Sequence, residues 1–208
     1  MNAPKFSEQA IAFEVAKRYG DDWRFVADTK RWIHWNDVFW NPDLTNAITN
    51  PIMAICCENA KRAADEGAEP GLVRSLASDR VIRAVLNRLS TDQRLVLTQN
   101  QLDANRDLLG TPSGFIDLPT GKHYRPDRTK LITMRTSVEP ASEGSESPLF
   151  AEFLNTTYPL PNFKAPDQEV IGFLKRYGGS SLTGHMNDAV FLFLIGSGGN
   201  GKGVLPLR

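Results

Sequence analysis

The sequence has few of the features that mark secreted, membrane-spanning or metal-binding proteins. Its two cysteines are the neighbours Cys56 and Cys57, and no histidine or cysteine stands beside them at the spacing of a zinc ligand. A disulfide framework and a zinc site are therefore not supported, and we expect both cysteines to be packing residues. The longest apolar stretch, residues 189–195, is far shorter than the roughly 20 residues of a membrane-spanning helix. Residues 1–6 do not resemble a signal peptide, so we expect a cytoplasmic protein without membrane contacts.

An excess of charge of either sign is also missing. The 24 basic and 24 acidic residues cancel, so no overall field attracts the chain to nucleic acid, and any such contact must come from a local group of cations. The sequence does have enough apolar residues, at 41%, to bury a core, and its 208 residues correspond to one or two domains.

Helical and strand patterns alternate up to about residue 137. Ser7 is a suitable cap for a helix that has Ile11, Val15 and Tyr19 at helical spacing and ends at Gly20. Short aromatic and β-branched runs then predict a β-meander over residues 23–26, 31–35 and 38–40. Two helical stripes follow, within residues 48–56 and 82–89, with the polar stretch 65–71 between them, and runs at 115–118 and 131–134 predict hairpins.

A change of composition divides the chain. Residues 138–148 are rich in Ser, Glu and Pro and poor in large apolar residues, which is typical of a linker. Beyond it, a helix is predicted to begin after the cap Asp167 and to end at Gly178 and Gly179. We therefore expect an α+β fold: a domain of helices and small β-sheets over residues 1–137, a linker at 138–148, and the start of an α/β P-loop nucleotide-binding domain at 149–208.

A glycine-rich loop matches the phosphate loop of nucleotide-binding proteins. Residues 191–195 predict an apolar strand that leads directly into it, and Gly196, Gly201 and Lys202 fit the pattern G-x-x-x-x-G-K. Backbone N–H groups of such a loop surround phosphate oxygens, and the lysine reaches the outer phosphates. An ordinary glycine-rich turn with a solvated lysine is the alternative. The residues expected to bind the phosphates of ATP are Gly196, Ser197, Gly198, Gly199, Asn200, Gly201, Lys202 and Gly203.

The loop departs from the pattern at the position of the metal ligand. Gly203 stands where a Ser or Thr hydroxyl would hold Mg²⁺, which makes metal binding through this loop doubtful. Residues 204–208 follow, and Pro206 among them does not suit a helix interior. We therefore expect no catalytic residue and no metal ligand in this chain, and no ATP hydrolysis by it alone.

Several motifs stand in a distinctive order along the chain. They are Trp32-Ile33-His34-Trp35, Phe39-Trp40 with Asp43, Leu102-Asp103, the stretch 108–121, Leu182-Thr183-Gly184, and Gly198-Gly199-Asn200-Gly201-Lys202. In order and spacing they resemble the primase-helicases of phages, viruses and plasmids, which have a superfamily 3 helicase motor behind a partner domain of the poxvirus NTPase type. The resemblance implies a hexameric, ATP-driven DNA helicase that acts on single-stranded DNA during phage or plasmid replication, with Mg²⁺ in the intact family.

Two functions are open at this point. On the resemblance, we expect the chain to be a part of such a primase-helicase, truncated after the Walker A loop, that forms a homo-oligomer in its intact form. The alternative is a non-enzymatic DNA-binding or assembly module, or a prophage remnant without activity.

Five cations form the densest basic group. Within fourteen residues that also include His123 and Tyr124, they are Lys122, Arg125, Arg128, Lys130 and Arg135. Cations interleaved with rings suit the phosphates and bases of single-stranded DNA, although a solvated hairpin edge has the same pattern. Arg80, Arg83 and Asn87, opposite the apolar stripe of a predicted helix, are a weaker candidate for contact with DNA or a partner, and we expect a plain surface there. We expect the tryptophans of residues 32–40 to form a core rather than a base-stacking platform.

Overall fold

Helices and short strands alternate through the first two thirds of the chain, and they form the expected α+β fold. The computed structural model describes residues 3–142, 144–160, 162, 165–185, 192, 193 and 195. Among these residues, no helix has both the length and the apolar character that crossing a bilayer requires.

Four helices form one layer: α1 (Glu8–Tyr19), α2 (Thr49–Asp65), α3 (Pro70–Leu76) and α4 (Asp79–Leu89). The Ser7 hydroxyl accepts a hydrogen bond from the N–H of Ala10, which confirms the predicted cap of α1. Ile11, Ile55 and Val85 are fully buried where α1, α2 and α4 meet. The short helix α3 was not predicted, because the Gly and Pro residues of the stretch 65–71 were interpreted as a separator. Pro70 and Gly71 are in fact the first two residues of the helix.

The first sheet contains β1 (Trp23–Val26), β2 (Arg31–Trp35), β3 (Trp40–Pro42) and β4 (Val96–Leu97), in the order β3-β2-β1-β4. The meander β1-β2-β3 is antiparallel, whereas β4 pairs with β1 in parallel after the chain has passed through α2–α4. The third strand begins at Trp40 rather than at Val38, because the Asn36 side chain accepts the N–H groups of Val38 and Phe39 and holds them in a turn.

The aromatic residues expected to form a core do so in part. Trp35 and Trp40 are buried, like Trp23 of β1, and their ring centroids are 5.7 Å apart, whereas Trp32 and Phe39 are half-buried. The indole N–H of Trp40 donates to the Arg128 carbonyl at 2.9 Å, so its one polar atom is satisfied inside the core.

A second, antiparallel sheet consists of β5 (Leu108–Thr111), β6 (Gly114–Asp117) and β7 (Lys122–Tyr124). Gly114 has φ +151°, and a Cβ atom there would lie 2.0 Å from the Tyr124 carbonyl oxygen, so β7 approaches the start of β6 too closely for any other residue. Residues 131–134, predicted as a hairpin strand, lie outside every strand: Asp103 accepts the N–H groups of Thr133 and Met134 in place of a partner strand.

Two further helices follow, α5 (Pro148–Thr157) and α6 (Gln168–Ser181). Asp167 caps α6 as predicted, but the helix does not end at Gly178 and Gly179, because both keep a negative φ and neither takes the left-handed conformation that stops a helix. The division of the chain at residues 138–148 stays a prediction. The glycine-rich loop 196–203 lies outside the described residues, as do Phe191 and Leu194 of the strand predicted before it.

Candidate nucleic-acid interface

One face of the second sheet presents a stacked pair of rings. Phe115 and Tyr124 are cross-strand partners on β6 and β7, so their side chains share a face. Their ring centroids are 5.3 Å apart and their planes 15° from parallel. Phe115 is buried, whereas Tyr124 is 39% exposed. The phenol ring therefore faces solvent on a rigid, buried support.

A cleft of about 620 Å³ opens beside these rings, which is within the range of about 300–1,000 Å³ of typical ligand pockets. Its walls come from the turn before β5, from β6 and from the segment after β7. The lining residues are Asn105, Leu108, Phe115, Asp117, Tyr124, Arg125, Asp127 and Lys130.

Three of the five predicted cations border this cleft. Arg125 and Lys130 line it, and the Lys122 ammonium lies over the Tyr124 ring, 5.2 Å from its centroid. All three side chains are exposed. None of them forms a salt bridge with a residue that the structure describes, so their charges are available to a ligand.

The other two cations lie with the aromatic residues of the first sheet. The Arg128 guanidinium donates to the Asp22 carboxylate at 2.9 Å, and the Arg135 guanidinium lies 4.2 Å from the centroid of the Phe39 ring. The group of five that the sequence indicates is thus divided by the fold: Lys122, Arg125 and Lys130 at the cleft, and Arg128 and Arg135 in contacts that hold the structure together.

Two carboxylates belong to the same cleft. Hydrogen bonds from the hydroxyl and backbone N–H of Thr129, with the Lys130 charge nearby, hold the pKa of Asp127 below its ordinary value. Asp117 accepts the N–H and hydroxyl of Thr120 at 3.0 and 2.6 Å. Asp127 was visible in the sequence as a neighbour of the cations, but Asp117 was missed because it reaches the cleft from the preceding strand.

His123 lies on the opposite face of the sheet from Tyr124. Its Nε2 atom is 3.1 Å from the Thr111 hydroxyl and 3.3 Å from the Ser113 hydroxyl, and Ser113 donates to the Glu139 carboxylate at 2.8 Å. This chain of contacts fastens residue 139 to the sheet and leaves His123 out of the cleft. In the described part of the molecule, no group of His, Cys, Asp and Glu has the arrangement of a metal site.

A contact from far along the chain supports one wall of the cleft. The N–H of Gly184 donates to the Arg106 carbonyl at 3.0 Å, and His185 Nε2 lies 2.8 Å from the Asp107 carboxylate. We name this pair of interactions the α6 tether. It was missed in the sequence because His185 and Asp107 are 78 positions apart and neither stands in a recognisable catalytic or ligand pattern.

Residues 15–159 match the family described as D5 N terminal like. This range is more than half of the chain and contains both sheets and every residue that lines the cleft. Among curated proteins, no significant match is found.

Proposed function

The chain belongs to the D5 N-terminal-like family, and from this premise we propose that it serves phage or plasmid DNA replication as the partner domain of a primase-helicase. Within that role we propose that it binds single-stranded DNA at the cleft beside Tyr124. The observation that carries this proposal is one exposed ring, stacked on a buried one, beside three cations that form no salt bridge within the described part of the chain.

The charged and the aromatic side chains of the cleft would contact different parts of the DNA. Lys122, Arg125 and Lys130 would contact phosphates, which supply most of the affinity of such sites and make it dependent on salt. The Tyr124 ring would stack on an unpaired base, an interaction worth about 1–3 kcal/mol per base. The Lys122 ammonium would then leave the ring for a phosphate, so the same face of Tyr124 is used in both states.

Fluorescence anisotropy with a labelled oligo-dC tests this function. The logarithm of the association constant should fall with the logarithm of salt concentration at a slope of about −2, since each phosphate neutralised on a single strand contributes about −0.7. The combined variant Lys122→Ala, Arg125→Ala and Lys130→Ala should lose most of this slope. A control that removes the same charge from the helical layer, by Lys61→Ala, Arg80→Ala and Arg83→Ala, should keep it. Equal losses in the two variants would refute the assignment of the cleft.

We further propose that residues 196–203 bind the phosphates of ATP and that the protein works as a homo-oligomer, as the resemblance to hexameric helicases implies. The support for ATP is the match of Gly196, Gly201 and Lys202 to the phosphate-loop pattern. Because Gly203 offers no oxygen to Mg²⁺, ATP binding should change little when EDTA removes the metal. Lys202→Ala should abolish binding in a calorimetric titration, whereas binding that depends strongly on Mg²⁺ would show that another group supplies the metal ligand.

A further inference from the structure

The carboxylates of the cleft each keep one oxygen free. Asp117 uses Oδ1 for Thr120, and Asp127 uses Oδ1 for the N–H and hydroxyl of Thr129 at 2.9 and 2.6 Å. The Oδ2 atom of each has no hydrogen-bond partner among the residues that the structure describes. Both side chains line the cleft, so two hydrogen-bond acceptors are available beside the Tyr124 ring.

These acceptors lie on the face that carries the ring and the cation. Asp117 is two residues beyond Phe115 on β6 and is the cross-strand partner of Lys122 on β7. The Asp117 carboxylate, the Tyr124 ring and the Lys122 ammonium therefore lie on one face of the sheet, on the neighbouring strands β6 and β7. A nucleotide whose base lies against Tyr124 and whose phosphate meets Lys122 would bring the polar edge of its base near Asp117.

Resting on the proposed binding of single-stranded DNA, we propose that this cleft selects bases with an exocyclic amino group over thymine. A carboxylate accepts hydrogen bonds and cannot donate them. The amino groups of cytosine (N4), adenine (N6) and guanine (N2) can donate to it, and Asp and Glu accept from N4 of cytosine. Thymine has no amino group: a carbonyl stands at C4, where cytosine has its amino group, and its one donor, N3–H, lies between two carbonyls. A thymine that donates N3–H to a carboxylate would bring both carbonyls close to that negative charge.

The cations do not cancel this preference. Arg125 and Lys130 could donate to a thymine carbonyl, but each nucleotide brings a phosphate, and a hydrogen bond between two charged groups is about twice as strong as a neutral one. The exposed cations at the opening of the cleft therefore bind the phosphates of the DNA backbone, and the carboxylates accept hydrogen bonds from the edge of the base.

Competition between oligo-dC and oligo-dU of equal length, measured by anisotropy with the whole chain at neutral to mildly basic pH, tests this selection. The two polymers share backbone and ring size, and their pyrimidine edges differ at N3 and at the C4 substituent. We expect oligo-dC to bind about five- to tenfold more tightly, the discrimination that one hydrogen-bonded base edge provides.

Asparagine variants separate base recognition from charge. Asp117→Asn and Asp127→Asn keep an oxygen for the turn hydrogen bonds and replace the free oxygen with an amide donor, so the dC/dU ratio should fall to about one or invert. Affinity for both polymers should rise, because negative charge is lost. The control Asp65→Asn, on α2, should leave the ratio unchanged.

Two results would overturn the inference in distinguishable ways. Equal, salt-dependent binding of oligo-dC and oligo-dU, or a ratio that Asp117→Asn and Asp127→Asn do not change, would remove the base selection and leave the proposed function intact. Failure of both polymers to bind would remove the proposed function and the selection with it.

Discussion

In one segment of this protein, a side chain accepts hydrogen bonds that the carbonyls of a partner strand would accept in a sheet. Asp103 has a left-handed backbone, with φ +48°. Its Oδ1 atom accepts the N–H groups of Thr133 and Met134 at 2.8 and 3.2 Å, and the Thr133 hydroxyl donates to Oδ2. The Asp103 carboxylate thus adds side-chain hydrogen bonds to a segment outside the strands, which backbone N–H groups of Trp40 and Asp103 also hold through the Ile132 and Leu131 carbonyls.

Asp103→Ala should therefore destabilise the fold. Loss of hydrogen bonds to a charged acceptor, which leaves two N–H groups without a partner, should lower the free energy of unfolding by about 2–3 kcal/mol. Asp103→Asn should lose clearly less, because it keeps one oxygen and tolerates the positive φ. Urea denaturation followed by circular dichroism measures both variants, and an alanine variant as stable as the native chain would contradict the role of Asp103.

The residue scale also shows what a sequence can reveal about the site. Tyr124, Arg125 and Lys130 were predicted because cations and a ring are close together in the chain. The separation of Arg128 from that group could not be predicted, because its partner Asp22 is 106 positions away. Residues that are close in sequence are candidates for one site, but the fold determines which of these cations lie at the cleft.

At the scale of elements, the bounds of α1, β1 and β2 were predicted correctly, whereas the start of β3 and the end of α6 were not. The helices α1, α2 and α4 follow from apolar spacing. Of the second sheet, only β6 corresponds to a predicted strand run, at 115–118, and the strands β5 and β7 on either side of it were not predicted. The late start of β3 depends on hydrogen bonds that the Asn36 side chain accepts from Val38 and Phe39, and the extension of α6 depends on helical glycines. Both boundaries depend on local backbone conformations, which cannot be predicted from amino-acid composition alone.

The α6 tether gives a test at this scale. A Cβ atom on Gly184 would lie 3.0 Å from Cβ and Cγ of Arg106, closer than ordinary van der Waals contact. Gly184→Ala should therefore loosen the turn that leads into β5, with faster hydrogen exchange across residues 105–108. Global stability should change little, since an exposed contact such as that between His185 and Asp107 contributes only about 0–1 kcal/mol.

Gly178→Ala is the matched control, because a Cβ atom there meets nothing within 4 Å and α6 is helical on both sides. It should leave exchange at residues 105–108 unchanged. If both alanine variants, or neither, accelerate exchange in the turn, the tether does not support the wall of the cleft.

At the scale of the whole molecule, two sheets with separate roles emerge from one α+β chain. The first sheet buries Trp35 and Trp40 together with Leu97 and Leu131, and the second sheet exposes Tyr124 and its neighbouring cations. The fold class was predicted from the alternation of patterns. The parallel pairing of β4 with β1 was not, because it joins segments about seventy residues apart in the chain and no local signal marks that distance.

Photo-crosslinking tests the central claim, that single-stranded DNA lies in the cleft beside Tyr124, most directly. An oligonucleotide that contains 5-iodo-deoxycytidine would be irradiated in complex with the whole chain, and the modified peptide identified by mass spectrometry. The account predicts that the principal crosslink is at Tyr124, because a stacked base places its reactive carbon against that ring, and that Tyr124→Leu removes it. A principal crosslink on α4, near Arg80 and Arg83, with Tyr124 unmodified, would contradict the account.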